Sequence, residues 1–250
     1  MKALITGASS GIGKEIAFYL GNLGYDLVVV SQDKDKLDVM YKDLKTKVTT
    51  FAYDLSIEEN CYKLYEETKN MKIDILVNNA GFGDCGEFIK TSLDKEKKMI
   101  DLNIKCVHIL TKLFLRDFVE RDYGKILNVA SIAGFMPGPY MATYYATKAY
   151  VLNLTVAVNE ELKQKKSKVR LFVLCPGPVK TNFNKVANVK FSIGSLDSKY
   201  VAKYAVNKMF DGKTVIIPGA SMKANRILTK VLPQNIILEI TSRIQHRRIK

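Results

Sequence analysis

The sequence has few of the residues that build disulfide frameworks or metal sites. It holds two histidines and four scattered cysteines without CxxC or Cys/His ligand spacing (Cys61, Cys85, Cys106 and Cys175). This pattern excludes a disulfide-stapled scaffold and a zinc site, so we expect reduced thiols and no metal. No window approaches the roughly 18 apolar residues of a membrane span, and Met1 leads into a strand pattern without a charged and apolar leader. We therefore expect a cytoplasmic protein.

The chain also lacks internal repeats, low-complexity tracts and linkers. It has 250 residues, of which 47% are hydrophobic. This is enough for one well-packed α/β domain, because single domains of this class reach roughly 200–250 residues. We predict one domain over residues 1–250.

Acidic residues are outnumbered, with 25 Asp and Glu against 39 Lys and Arg and a net charge of +14. Such a charge can mark a protein that binds nucleic acid or an anionic membrane. The lysines, however, are spread over the whole chain and are not interleaved with aromatic residues, as a base-stacking surface requires. We interpret them as solvated faces and expect no nucleic-acid partner.

Apolar runs alternate with amphipathic stretches along the chain. The runs predict strands at 2–6, 26–30, 48–53, 74–78, 124–131, 169–176 and 214–218, and the stretches predict helices, for example at 12–22, 34–45, 57–69, 93–120 and 143–165. Continuous Val, Ile and Leu runs are typical of strands buried on both faces. The pattern therefore predicts a doubly wound α/β (Rossmann) domain, with a parallel sheet of about seven strands between two helix layers.

The first strand breaks into a glycine-rich turn, TGASSGIG at residues 6–13, before the first helix. Gly7, Gly11 and Gly13 allow the backbone to approach a pyrophosphate at the positive end of that helix. Glycines also serve ordinary strand-to-helix turns. The TGxxxGxG spacing, in place of GxGxxG, indicates a particular branch of dinucleotide-binding proteins.

Six motifs follow one another along roughly residues 1–218. They are TGASSGIG (6–13), NNAG (78–81), Asn103 in DLNIKC, Ser131 in NVASIAG, YYATK (144–148) and PGPVKT (176–181). In this order and spacing they resemble the short-chain dehydrogenase/reductase family. The resemblance implies an oxidoreductase that transfers a hydride between a nicotinamide cofactor and the carbonyl or alcohol carbon of a substrate.

Tyr144 and Lys148 are four residues apart in a helical stretch, so both project onto one face. The ammonium and an oxidised nicotinamide would both favour the phenolate and lower the phenol pKa, so Tyr144 is suited to donate or accept a proton. Ser131 is expected to hydrogen-bond the substrate oxygen. By resemblance, Asn103 holds a water that links Lys148 to solvent. Serine caps and tyrosine–lysine packing are common structural roles, but the joint spacing favours catalysis.

Two further residues are predicted to have structural roles and no catalytic one. Tyr145 lacks the YxxxK spacing and is predicted to pack or to line the pocket wall. His108 lies on an apolar helix and is interpreted as a satisfied or interface histidine.

The resemblance implies a cofactor site drawn from several segments. Its residues are Gly7, Ser9, Ser10, Gly11, Ile12, Gly13, Ser31, Gln32, Asp54, Leu55, Asn79, Ala80, Gly81, Tyr144, Lys148, Pro176, Gly177, Val179 and Thr181. Asp54 and Leu55 are expected beside the adenine ring. NNAG is expected beside the adenosine ribose, where it also supports the sheet.

The end of the second strand bears on the choice between NAD and NADP. Ser31 stands where NAD-preferring relatives carry Asp, and Gln32 where many NADP-preferring ones carry Arg. A hydroxyl and an amide can donate to a 2′-phosphate, and Lys34 and Lys36 are close, whereas Asp33 opposes it. We expect NADP(H) to be favoured over NAD(H).

The segment 182–210 is predicted to form the substrate loop and helix. Phe183, Val186, Phe191 and Ile193 are expected in a lid, and Phe82, Met136 and Tyr140 in the pocket wall. Such a lining suits a ketone, aldehyde or secondary alcohol with apolar substituents.

The C-terminal segment 220–250 has helical apolar spacing on both sides of Pro233 and a basic end. It can form a helical pair over the substrate cleft, a subunit contact, or a basic amphipathic surface for anionic lipid. Its apolar positions are too many to remain exposed (Ile227, Leu228, Val231, Leu232, Ile236, Ile237, Leu238, Ile240 and Ile244). We expect the same chain or a partner subunit to cover them, in place of a membrane.

Two further expectations concern assembly and activity. The resemblance implies a homodimer or homotetramer formed through the long helices. The alternative to an enzyme is a redox-sensing or regulatory member that binds the cofactor without turnover, and its expected mark, a broken Ser/Tyr/Lys set, is missing from this sequence.

Overall fold

The strands begin and end close to the apolar runs of the sequence. The computed structural model of the chain describes residues 1–183, 187 and 195–249. Its strands are β1 (Lys2–Thr6), β2 (Asp26–Ser31), β3 (Val48–Ala52), β4 (Ile75–Asn78), β5 (Lys125–Val129), β6 (Arg170–Leu174) and β7 (Val215–Ile216). These described strands form one parallel sheet in the order β3-β2-β1-β4-β5-β6-β7. The predicted doubly wound α/β domain is confirmed.

Helices fill the connections between the strands and extend beyond the last one. The α-helices are α1 (Gly11–Asn22), α2 (Lys34–Tyr41), α3 (Glu58–Thr68), α4 (Leu93–Ile100), α5 (Val107–Glu120), α6 (Ala142–Gln164), α7 (Ser198–Phe210), α8 (Ala220–Val231) and α9 (Gln234–Ile249). Short 3₁₀ helices cover Lys69–Met71 and Ile132–Phe135. The expected lid residues Val186, Phe191 and Ile193 lie outside the described residues.

The two helix layers cover opposite faces of the sheet because side chains alternate along each strand. On one face, Ile5 of β1 belongs to a buried cluster with Leu20 of α1 and Val206 of α7. On the other face, Leu4 of the same strand belongs to a cluster with Phe114 of α5. The central strands are therefore buried on both sides, as their continuous apolar runs predict.

The strand order reverses at β1 and β4, which are neighbours in the sheet but not in the sequence. Open parallel sheets bind ligands at the carboxyl ends of their strands beside such a switch point. The segments that follow β1, β4, β5 and β6 all reach one cavity at this edge. The topology thus brings together motifs that are far apart in the sequence.

The predicted helix over 93–120 is not one continuous α-helix. A π-helical stretch, Asp101–Cys106, separates α4 from α5. Such stretches often occur at functional sites, because they redirect side chains that a regular helix would place elsewhere. Asn103 lies in this stretch and is fully buried.

The helices α8 and α9 form a hairpin around Pro233, as the sequence predicts. Ile237 of α9 is buried against the domain, but much of the apolar surface stays exposed within the single chain (Ile227, Leu228, Val231, Ile236, Ile240 and Ile244). A single chain therefore does not cover these apolar side chains, because the hairpin contacts the domain along a narrow face. Among the described helices, none is both long and apolar enough to cross a membrane.

Candidate active site

The glycine-rich turn after β1 requires glycine for two physical reasons. Gly7 and Gly11 have φ values of +65° and +55°, in the left-handed region that side chains rarely adopt. At Gly13 the backbone is regular but the space is closed, since an added Cβ would lie 2.2 Å from Asn79 Nδ2. The turn is therefore held tightly against the segment that follows β4.

NNAG forms the other half of this contact. Asn79 Nδ2 donates to the carbonyl oxygens of Thr6 (3.0 Å) and Gly7 (3.1 Å). The backbone N–H groups of Asn79 and Ala80 in turn donate to Thr6 Oγ1. The predicted sheet-supporting role of NNAG is confirmed by these bonds.

The N-terminus of α1 has the features of an anion site. Ser10 occupies the N-cap position without a side-chain cap hydrogen bond, and the first turn carries no acidic residue. The uncapped N–H groups of this turn and the helix dipole favour a negatively charged ligand. Ser9, Ser10, Gly11 and Ile12 line the cavity, so the chain fits the pyrophosphate of a dinucleotide here.

Ser131 and Tyr144 meet at the centre of the same cavity. Ser131 follows β5 and caps the short 3₁₀ helix, since its Oγ accepts from Ala133 N at 3.1 Å. Its hydroxyl also hydrogen-bonds the Tyr144 phenol. The cap fixes the Ser131 hydroxyl beside the tyrosine, and the catalytic role of Ser131 stays a prediction.

Lys148 lies one helical turn after Tyr144 on α6 and is buried. Its Nζ donates to the Val129 carbonyl oxygen at 3.0 Å and lies 5.8 Å from the centre of the Tyr144 ring. Burial lowers the pKa of Lys148 to about 8, although the electrostatic interaction with Cys175 raises it in part. The spacing of four residues does bring both groups to one face, as predicted.

The pKa of Tyr144 differs from the sequence-based expectation. Burial raises it above the ordinary value for a phenol, the Ser131 hydrogen bond lowers it, and Tyr145 raises it further. In the chain by itself, the cost of placing a phenolate away from water thus outweighs the expected lowering. Tyr144 is held in its protonated form, which is the form that can donate a proton to a developing alkoxide.

The side chain of Asn103 is engaged within the protein. Its Nδ2 donates to the Phe82 carbonyl oxygen (2.9 Å) and to Thr147 Oγ1 (3.1 Å), and its Oδ1 accepts from Phe82 N (3.1 Å). Asn103 thereby ties the segment after β4 to the helix that carries Tyr144. Its role in holding a water beside Lys148 stays a prediction.

The cavity has a volume of about 660 Å³. The predicted site residues on its wall are Gly7, Ser9, Ser10, Gly11, Ile12, Asn79, Ala80, Gly81, Ser131, Tyr144, Lys148, Pro176, Gly177, Val179 and Thr181. Gly13 lies behind this wall, and Ser31, Gln32, Asp54 and Leu55 lie beyond it at the ends of β2 and β3. The cavity therefore joins most of the predicted cofactor residues to the catalytic candidates.

The residues at the ends of β2 and β3 are linked to one another. Ser31 Oγ accepts from Asp33 N at 3.1 Å and donates to the Asp33 carbonyl oxygen at 3.0 Å. Burial disfavours the Asp54 carboxylate, but hydrogen bonds from Ser56, Lys98 and Gln32 outweigh this and hold its pKa at about 2. Both carboxylates near this corner are thus already hydrogen-bonded, since Asp33 also caps α2 by accepting from a backbone N–H.

The remaining wall of the cavity is mainly apolar. Phe82 and Met136 line it as predicted. Phe183, which was predicted in the lid, also lines it, and its ring lies 5.4 Å from that of Tyr144. Tyr140 packs beside this wall in the same cluster. Tyr145 lines the cavity, and its hydroxyl oxygen accepts a hydrogen bond from Gln245 Nε2 of α9 at 2.5 Å. The predicted wall role of Tyr145 is confirmed.

The C-terminal hairpin supplies lining residues that the motifs did not identify. They are Ser221, Met222, Asn225, Leu228, Thr229, Leu232, Ile237, Ile240, Thr241, Ile244 and Gln245. The apolar spacing around Pro233 was the available signal, and a helical pair over the cleft was one of the three roles it left open. His108 lies away from the cavity, with its Nδ1 2.7 Å from the Tyr150 hydroxyl, so its structural assignment is confirmed.

Comparison with known proteins identifies the family of the chain. Residues 1–190 match the family model for short chain dehydrogenase. The chain belongs to this family, and it is an NAD(P)-dependent oxidoreductase.

Two curated relatives are reductases of 3-oxoacyl compounds. The chain is 37% identical over 180 residues to the very-long-chain 3-oxoacyl-CoA reductase of Neurospora crassa, a match that covers 68% of the chain and 54% of that relative. It is 30% identical over 231 residues to the 3-oxoacyl-(acyl-carrier-protein) reductase FabG of Rickettsia prowazekii, covering 89% of the chain and 94% of the relative. The match thus takes in about half the length of the first relative and nearly all of the second.

A solved structure has the same architecture. The short-chain dehydrogenase of Sphingobium yanoikuyae, determined in complex with NADPH, superposes with a TM-score of 0.82 at 27% identity. The similarity covers 93% of this chain and 96% of that one.

Proposed function

We propose that this protein reduces the ketone of a 3-oxoacyl thioester with NADPH. The observation that carries the proposal is the joining of Ser131, Tyr144 and Lys148 to an apolar wall in one cavity of about 660 Å³. The two curated relatives act on 3-oxoacyl compounds by name. The proposal keeps the reaction expected from the sequence and narrows the apolar ketone to an acyl substrate.

Each residue has a defined task in this reaction. A bound nicotinamide cofactor supplies the hydride to the ketone carbon. The Ser131 hydroxyl donates a hydrogen bond to the ketone oxygen and keeps it beside the phenol. Tyr144 donates its proton to that oxygen as negative charge develops there. Lys148, with a pKa of about 8, is largely protonated near neutral pH and stabilises the phenolate that remains.

The proposed preference for NADPH rests on the corner formed by the ends of β2 and β3. No carboxylate stands at Ser31, where it would repel a 2′-phosphate. The nearby carboxylates, Asp33 and Asp54, are occupied by hydrogen bonds within the protein. The similar Sphingobium yanoikuyae enzyme was solved with NADPH.

The test is a matched set of substrates with both cofactors. Consumption of NADPH and NADH is followed with a 3-oxoacyl thioester and with a bulky monoketone of the same carbon number. The 3-hydroxy product is assayed in the reverse direction, by formation of NADPH or NADH from the oxidised cofactors. We expect kcat/KM to be highest for the 3-oxoacyl thioester with NADPH. Reduction of the monoketone alone would contradict the acyl substrate, and tight cofactor binding without turnover of any compound would favour a regulatory role.

A further inference from the structure

The hairpin of α8 and α9 presents an apolar surface that the single chain leaves open. Its members are aliphatic side chains of both helices that are 41–75% exposed (Ile227, Leu228, Val231, Ile236, Ile240 and Ile244). We call this set the hairpin surface. Exposed apolar side chains that gather beside a ligand cleft mark an interaction site, whereas single ones scattered over a protein need no explanation.

Helical spacing makes the hairpin surface continuous. On α9 its members recur every four residues, so they lie along one side of the helix. The residues that attach α9 to the domain recur with the same spacing one position later, beginning at Ile237. Leu228 of α8 and Ile240 and Ile244 of α9 line the cleft, and each is about half exposed. The two helices thus join into one apolar surface at the mouth of the cleft.

The charge of the same segment is almost wholly positive. Residues 220–250 contain seven lysines and arginines and one acidic residue, against 39 and 25 in the whole chain. That acidic residue, Glu239, forms an ion pair with Arg243 one turn further along α9. Lys223 and Lys230 are exposed on α8, four residues before and three residues after Ile227, so they border the apolar side chains.

An aliphatic surface bordered by lysines complements the interface of an anionic membrane. Aliphatic side chains insert among the lipid headgroups, and lysines are attracted to the negative charge around them. A second copy of the hairpin would instead bring its own basic residues against these, and repulsion of like charges opposes such a contact. Charge therefore favours anionic lipid over self-association through this surface.

We propose that the hairpin surface docks on an anionic lipid membrane. Ile227, Val231 and Ile236 insert at the level of the headgroups, while Lys223 and Lys230 bind lipid phosphates. Docking on lipid takes the place of the protein cover expected from the sequence, since the single chain leaves this surface open. The mouth of the cleft belongs to the same surface, so docking places the entrance of the active site at the lipid.

The first test measures partitioning of the full chain onto vesicles by flotation. The vesicles consist of phosphatidylcholine alone or of phosphatidylcholine mixed with phosphatidylglycerol. We expect wild type to bind the mixed vesicles at least about tenfold more tightly than the neutral ones, and to be released by added salt. Binding to neither kind of vesicle, or equal binding to both, would overturn the proposal.

The apolar contribution is tested by Ile227→Ser combined with Val231→Ser. These two residues are the most exposed members of the hairpin surface, and they are not among the described residues that line the cleft. We expect the pair of changes to weaken partitioning roughly tenfold or more, because the free energy of insertion follows the apolar area removed from water. Val39→Ser combined with Ile89→Ser, at positions 68% and 87% exposed elsewhere in the domain, is the matched control. It should bind like wild type, and an equal loss in the control would overturn the proposal.

The charged contribution is tested by Lys223→Gln combined with Lys230→Gln. We expect a roughly tenfold loss of affinity for the mixed vesicles, because each lysine near an anionic membrane contributes to the attraction. Lys45→Gln combined with Lys165→Gln removes the same charge at exposed positions away from the hairpin and should have a smaller effect. Equal losses for the two pairs would show that net charge alone, and not the hairpin, binds the lipid.

Self-association is measured by sedimentation equilibrium without lipid, on wild type and on Ile227→Ser combined with Val231→Ser. We expect the two proteins to have the same mass. A dimer of wild type that these changes disrupt would assign the hairpin surface to a second copy and overturn the proposal. None of these measurements uses substrate or turnover, so failure of the proposed function is recognised separately.

Discussion

The two sides of the cleft are built differently. One side is formed by the segments after β1, β4, β5 and β6. It carries Ser131, Tyr144 and Lys148, which are at most 9% exposed and are hydrogen-bonded within the domain. On the hairpin side, Leu228 and Ile240 line the same cavity while about half of each side chain is exposed. Side-chain contacts join the hairpin to the other side, among them the bond between Gln245 and Tyr145.

This difference separates two tasks of the site. Proton transfer requires groups fixed within a fraction of an ångström, so its residues lie on strand ends and on a long packed helix. Substrate selection tolerates a wall whose side chains are more exposed. We therefore expect substitutions on the side that carries Ser131, Tyr144 and Lys148 to affect kcat. Substitutions on the hairpin side should affect KM.

The largest effect is expected from removing the transferable proton. Tyr144→Phe keeps the ring but deletes the phenol, and proton transfer by a positioned group is worth roughly 10²–10⁴-fold in rate. We expect a fall of that size in kcat with the Kd for NADPH nearly unchanged. The matched control is Tyr145→Phe, which should stay within about tenfold of wild type since it keeps the ring and loses the hydroxyl bonded to Gln245. A larger loss at Tyr145 than at Tyr144 would reverse the assignment.

Lys148 should give the free energy of unfolding a distinctive pH dependence. Its pKa is about 8 in the folded chain against 10.5 for an ordinary lysine, so between these values the unfolded chain binds more protons and stability rises with pH. The stability of wild type relative to Lys148→Met should therefore increase by about 3 kcal/mol from pH 8 to pH 10.5. Urea unfolding at several pH values measures this, and a constant difference would show that the ammonium is not buried.

The attachment of the hairpin depends on its small buried face. Ile237 is 8% exposed, and removing its side chain to Ala should cost about 2 kcal/mol of unfolding free energy. Val231→Ala is the control, because Val231 is 75% exposed and should change stability by less than about 0.5 kcal/mol. Thermal unfolding of both variants tests the comparison. Equal losses would mean that a partner subunit buries Val231.

The smallest effect is expected at the corner formed by the ends of β2 and β3, which lies beyond the cavity. Ser31→Asp should weaken NADPH at least about tenfold relative to NADH, through repulsion of the 2′-phosphate at short range. Ser31→Ala, which adds no charge, should change the two affinities equally. Fluorescence titration with each cofactor gives both values, and equal losses in Ser31→Asp would show that this strand end does not contact the ribose.

Much of the fold could be predicted because its signals are local. Continuous apolar runs specify buried strands, and the seven predicted strands all appear, although β5 and β6 end earlier than their apolar runs suggest. The π-helical stretch around Asn103 could not be predicted from amphipathic spacing, since it depends on contacts with Phe82 and Thr147. The partial exposure of the hairpin likewise depends on how few residues of α9 reach the domain.

The sequence by itself determined the chemistry: a glycine turn shaped for a dinucleotide, and a tyrosine and lysine four residues apart on one helical face. These follow from short-range geometry, which every chain with this spacing shares. Only the tertiary structure decided that burial raises the pKa of Tyr144 and lowers that of Lys148, and that Asn225 and Gln245 complete the cleft. Both depend on what surrounds a group in space, because desolvation and hydrogen bonding are set by residues distant in the chain.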